Sequence, residues 1–387
     1  MITRLFLLAL MAPPVWGQLP QSAPLPPADR RLFDAEIDRL EKLLTATPNK
    51  NTVTYQMART WAAGQQWPDA VDGLRKVVES KVGFDPSRDP VFRDIGETKE
   101  FKEILAAARA ATPPVLRSSS TFTLMEGDLA PESVAYDPRN RQLYFGSMRK
   151  GKIVRCSESG DCAPFARGLG TVLGLKVHGN ALWALDNSAK ESALLHYDLS
   201  SGQMLRAYRV TNPGHNFNDL TITQDGGVYL TDTAAGTIWH LSNGADNLTP
   251  LPGRFVAANG ITLSPDARLL YVSTFPDGVT VVDLRTMLAS PLRHAADLCL
   301  ANVDGLYFHN GALIAIQNGF ISPRVVRLTL TRDFHGVNRL EVLERRNPLF
   351  DGITTGVLAG GDFFYMANVQ DQNKPAYQPI VLLRIHL

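Results

Sequence analysis

The sequence predicts an all-β six-bladed β-propeller, preceded by a small all-α helical domain. Three observations carry that prediction. Six related hairpins, each followed by a third strand, fill the chain from about residue 120 to its end. Aligned on the residue two before the first aliphatic of each copy, they start at Glu132, Leu173, Asn218, Asn259, Asp304 and Thr355, with spacings of 41, 45, 41, 45 and 51 residues. A period near 40–45 with three or four strands per unit is that of propeller blades. Finally, the "TPPVLRSSS" segment separates sequence of helical period from sequence that alternates like strands.

In chain order, residues 1–17, "MITRLFLLALMAPPVWG", combine one Arg with an apolar run too short to span a bilayer. Val15 and Gly17 suit cleavage before Gln18, and Pro13-Pro14 argue against a buried helix. The reading is a signal peptide and an exported, periplasmic or secreted protein, with no transmembrane segment in the mature chain. No Cys stands at the cleavage point, so no lipid anchor is expected. Residues 18–30 are a Pro-rich linker.

Residues 31–112 read as helices. Leu32, Phe33, Ile37, Leu40, Leu43 and Leu44 form one helical face, and Pro68 marks a helix start after Gln66-Trp67. Ala58, Trp61, Ala70, Leu74 and Val77 resemble the small-and-aromatic pattern of a tetratricopeptide unit. A plain helical bundle is the alternative, since repeat arrays usually need at least three units.

The propeller is expected over 120–387. Its last copy ends at the third strand, and "TFTLME" (121–126), ahead of the first copy, can supply the missing outer strand. That would join the two ends of the propeller and remove an exposed edge.

Composition narrows the function classes. Apolar residues are 44% and charged residues 20%, as in a globular chain. Lys+Arg 39 against Asp+Glu 38 leaves +1 with no basic stripe, so no nucleic-acid partner is expected. Cys156 and Cys162 flank a short turn and can pair in an oxidising compartment, whereas Cys299 reads as a buried apolar side chain.

Equivalent positions in a propeller repeat are related by rotation about its axis. Glu132, Asn218, Asn259 and Asp304 are therefore expected to converge at one mouth of the central channel. Converging carboxylates need a partner, and a hard divalent cation held by carboxylate and amide oxygens supplies one. The expected cofactor is one tunnel Ca2+, with another divalent cation as the alternative; zinc and copper are disfavoured because no anchor is His or Cys. Taken singly, Asn-Asp, Asn-Gly and Asp-Gly are also ordinary turn dipeptides.

The segments "APESVAYDP", "NFNDLTITQDGGVYLTDT", "ANGITLSPDARLLYVS" and "VDGLYFHNGALIAIQN" resemble the senescence marker protein (regucalcin)/gluconolactonase family, related to paraoxonase-type lactonases. The resemblance spans about 120–387 and leaves out the helices. It implies calcium-dependent hydrolysis of lactones or related esters, with Glu132, Asn259 and Asp304 as metal ligands. Asn218 is implied as a ligand or a substrate contact. Many sugar-lactone members carry Arg where this chain has Asn216, which places sugar-lactone specificity in question.

The resulting site assignment makes Asp304 and Asn218 catalytic, with Asn218, Asn216 and His215 near the substrate. In it the cation polarises the carbonyl, and Asp304 is the candidate general base; attack by a metal-activated water is the alternative. No nucleophile elbow is present. The rival reading is a non-catalytic ligand- or protein-binding propeller, with the helical segment meeting a protein partner. A strictosidine-synthase-like propeller without an essential metal is expected to lack part of the Asn218, Asn259 and Asp304 set, which is complete here.

Overall fold

A computed structural model describes residues 19, 20, 22, 25–369 and 379–387. The segment 1–17, read from the sequence as a signal peptide, lies outside the described residues. Among the described residues, no helix is long and apolar enough to cross a membrane.

The chain divides into two compact units. The first is built on α1 (Pro27–Ala46), α2 (Lys50–Ala63), α3 (Trp67–Glu79) and α4 (Lys99–Ala111), with two short 3-10 turns between α3 and α4. The first helix starts inside the Pro-rich stretch read as a linker, because a proline is tolerated in the first helical turn, where its missing N–H has no partner to lose. The start of α3 at Trp67-Pro68 follows the same rule. Thr98 caps α4 by accepting from the Phe101 N–H.

Gly73 lies against Ala58 and Trp61, so a small residue there lets α2 and α3 pack closely. This unit also contains Ala295–Ala301 and Gly319–Ser322. Phe320 stacks on Tyr55 with ring centroids 4.4 Å apart, Phe84 stacks on the same ring at 5.2 Å, and Cys299 is buried in the same apolar cluster.

The second unit is a six-bladed propeller of six four-stranded antiparallel sheets. The first strands of blades I to VI are Val134–Asp137, Thr171–His178, Phe217–Ile222, Ile261–Leu263, Val303–His309 and Gly356–Ala359. Each contacts the first strand of the next blade, and the sixth returns to the first, so these strands line a closed ring. Apolar faces of neighbouring blades meet in shared clusters, for example Leu185, Leu194, Leu220 and Leu230 between blades II and III. The ends are tied as the sequence predicts: Ser119–Leu124 pairs antiparallel with Ile380–His386 as the outer strand of blade VI. Cys156 and Cys162 are disulfide-bonded across the two outer strands of blade I.

At least one side-chain hydrogen bond to a backbone carbonyl crosses every junction between blades. Thr355 donates to the Glu132 carbonyl and Ser133 to the Leu173 carbonyl. Asn187 donates to Phe217 O at 2.9 Å and Thr231 to Asn259 O at 2.8 Å. Ser273 donates to Val303 O at 2.5 Å and Asn318 to Ile353 O at 2.9 Å. The accepting carbonyls lie within two residues of the six anchor positions. This ring therefore satisfies backbone groups that the start of each inner strand would otherwise leave buried and unpaired.

Candidate functional site

The anchors leave the strand ladders by a shared device. In blades II, III and V the inner-strand register skips between Val172 and Leu175, Phe217 and Leu220, and Val303 and Leu306. Leu173, Asn218 and Asp304 thus sit in bulges, each with one neighbour. A bulge re-aims side chains that regular pairing would bury between sheets. In blades I and IV the anchors Glu132 and Asn259 precede the paired strand.

The Asn-Gly and Asp-Gly pairs are therefore not turns. Asp304-Gly305 lies within a strand. A β-carbon on Gly260 would collide with the Asp304 carbonyl, and one on Gly174 would stand 2.8 Å from the Asn218 carbonyl. Glycine is required there because the backbone of the next blade approaches too closely for a side chain.

A narrow cavity is bordered by the inner strands of five blades. Its lining includes the anchors Glu132, Leu173, Asn218 and Thr355, together with Asp219, Lys176 and Tyr307. Its inner space of about 10 Å³ holds roughly one water-sized body.

Asp304 and Asn259 are not in that lining but are linked to it. Burial, then the charges of Asp304 and Asp219, push the Glu132 carboxyl well above its ordinary range. Burial also raises Asp304, to about 6, against hydrogen bonds from Asn318 and Asn259, while the charge of Asp219 adds to the rise. Asn318 Nδ2 lies 2.5 Å from Asp304 Oδ2.

Asp219, Lys176, Tyr307 and Asn318 are site residues that the sequence assignment did not include. Asp219 is buried, accepts from the Leu220 N–H at 2.8 Å and the Ile261 N–H at 3.3 Å, and faces the Lys176 ammonium. Its signal in the sequence was adjacency to Asn218, since a bulge displaces both residues from the ladder. Tyr307 is buried and its hydroxyl accepts from the Gly356 N–H at 2.7 Å. Burial, with the nearby charge of Asp219, holds that phenol far above its usual range.

His215 and Asn216 do not border the cavity. His215 Nδ1 lies 2.5 Å from Asp232 Oδ2, with its ring edge-on to Trp239, and the Asn216 N–H donates to Asp232 Oδ1 at 2.9 Å. The polar cluster of 215–219 therefore splits. Its first half is tied to buried Asp232, and its second half faces the cavity.

The donor set suits a hard cation. Glu132, Asp219 and Asp304 act on one another electrostatically, and Asn259 Oδ1 is buried with no hydrogen-bond partner among the described residues. Such an orphaned amide oxygen is the ligand type that calcium takes up. Among the described residues, no three His, Cys, Asp or Glu side chains form a metal cluster by themselves. A site here would draw on amide oxygens as well.

A closed six-bladed propeller, with acids and amides displaced from its inner strands toward one narrow cavity, defines the class of this molecule. Residues 130–314, within the propeller, match the model of the SMP-30/gluconolactonase/LRE-like region. No curated protein sequence matches the chain.

Among solved structures, a luciferin-regenerating enzyme is similar at 14% identity and TM-score 0.51, covering 71% of this chain and 96% of that one. A gluconolactonase from Xanthomonas campestris is similar at 13% identity and TM-score 0.50, covering 71% and 98%. A glucose dehydrogenase from Thermus thermophilus is similar at 15% identity and TM-score 0.51, covering 70% and 100%. At these identities the likeness establishes the propeller fold alone.

Proposed function

We propose that the protein is a calcium-dependent hydrolase of lactones or related esters, acting at the axial cavity. The observation that carries this reading is the meeting of Glu132, Asn218 and Asp219 at one cavity, with Asp304 acting electrostatically on Glu132 and Asn259 hydrogen-bonded to Asp304 while its Oδ1 is left unpaired. The match of residues 130–314 to that family model supports the reaction class.

Glu132, Asn218, Asn259 and Asp304 would hold the ion. When bound, the ion supplies Lewis-acid polarisation of the ester carbonyl. The chain's own residues do the rest. Asp304 accepts a proton from the attacking water as the water oxygen bonds to the carbonyl carbon. The ring C–O bond then breaks, and the proton passes to the departing alkoxide, giving the hydroxy acid. Asn318 holds Asp304 in position, and Asn218 orients the substrate at the cavity wall. We further place the protein outside the cytoplasm, on the character of residues 1–17 and the Cys156–Cys162 pair.

The test is hydrolysis of a panel of aliphatic and sugar lactones and aryl esters, with calcium and with chelator. Activity that needs calcium and is lost in both Asp304→Ala and Asn218→Ala supports the reading. A folded, calcium-loaded protein inert on the whole panel overturns it and leaves the binding-module alternative.

A further inference from the structure

We propose that Lys176 is the resident counter-ion of the cavity. Its ammonium compensates the acids when no divalent cation is bound, and it weakens the site for that cation. The proposal rests on the metal reading above for its second half only.

Among the described residues, Lys176 is the one Lys or Arg that borders the cavity. Its side chain is about a quarter exposed, and it belongs to the inner strand of blade II, paired with Trp183, so its stem is fixed in a sheet. The ammonium stands 3.7 Å from Asp219 Oδ1 and over the face of Tyr307, 4.9 Å from the ring centroid. A charge-assisted hydrogen bond would bring nitrogen and oxygen to about 2.7–2.9 Å. At 3.7 Å the ammonium instead serves as a point charge between a carboxylate and an electron-rich ring face.

Charge counting gives this placement its meaning. The charges of Asp304 and Asp219 disfavour ionisation of Glu132, and the charge of Asp219 disfavours that of Asp304. One fixed positive charge offsets part of that repulsion without any metal. Once a divalent cation enters, the ammonium, which borders the same cavity, and the ion repel one another. The same lysine therefore supports the metal-free fold and lowers metal affinity, an effect greater for a trivalent ion than for a divalent one.

The experiment uses the full protein in three forms: wild type, Lys176→Met and Lys176→Arg. Thermal melts are recorded in chelator, calcium binding is measured by titration calorimetry, and terbium binding by sensitised luminescence. Lys176→Met is expected to melt lower than wild type in chelator. It should bind calcium at least about tenfold more tightly, and gain more for terbium, while Lys176→Arg stays near wild type on every measure.

An unchanged chelator melt together with unchanged calcium affinity in Lys176→Met overturns the proposal. If Lys176→Met does not fold, Lys176→Met combined with Asp219→Asn removes the uncompensated partner as well. Recovery of the fold supports the counter-ion role, and failure to recover overturns it. If the wild type takes up neither calcium nor terbium, the metal reading fails, and the chelator melts alone decide the counter-ion role.

Discussion

Asn318 donates through one amide nitrogen to two acceptors, Asp304 Oδ2 at 2.5 Å and the Ile353 carbonyl at 2.9 Å. Blade V thereby fixes the orientation of its own acid and closes its junction with blade VI by the same group. Outer partners of this kind tune metal affinity about 10–100-fold. Asn318→Ala is expected to weaken calcium binding by about tenfold or more and to lower the melting temperature, read by calorimetry and thermal melts. Wild-type affinity in this variant would separate Asn318 from the site.

The Glu132 carboxyl is held above its ordinary range in the folded state, so the folded protein binds more protons than the unfolded chain above about pH 4.3. Stability contributed by this group is present at low pH and is lost as pH rises through the folded pKa. In chelator, Glu132→Gln is therefore expected to match wild type near pH 4 and to melt progressively higher than wild type toward pH 8. A constant difference across that range would remove the electrostatic account.

Ser273 donates to the Val303 carbonyl at 2.5 Å, inside the bulge that carries Asp304. Ser273→Ala leaves that carbonyl without the donor, at a cost of about 1–3 kcal/mol. Urea unfolding should show a lowered midpoint with an unchanged slope.

Gly260 faces the Asp304 carbonyl and Leu306 so closely that a methyl group cannot be placed without moving backbone. Overpacking of this kind costs about 1–3 kcal/mol or more. Gly260→Ala is expected to lose soluble yield or at least that much stability. A fully stable Gly260→Ala would show that blades IV and V can separate at the axis.

Much of the fold was legible because a propeller repeats its local instructions. Hairpin alternation, turn residues and the 41–51 residue spacing are all short-range, and "TFTLME" could be placed by counting strands in the last blade. The anchors were legible for the same reason: one place in a repeat is one place around the axis. Glu132 and Asn218 do border one cavity, and Asp304 is electrostatically coupled to Glu132. The fates of His215 and Asn216 were not legible, since these depend on buried Asp232, seventeen and sixteen residues further along the chain. Nor was the makeup of the helical unit, whose core takes Phe320 and Cys299 from far along the chain.

The sequence alone determined the number of blades, their closure by the first strand, and the identity of four candidate ligands, because hydrophobic period and repeat register are properties of neighbours in the chain. Only the tertiary structure decided that Asp219 joins those acids, that Lys176 stands beside Asp219, and that Asn318 hydrogen-bonds Asp304. Those relationships arise where bulges displace side chains from one blade toward another. Contact across a blade junction is set by the three-dimensional approach of segments about forty residues apart, which no local pattern records.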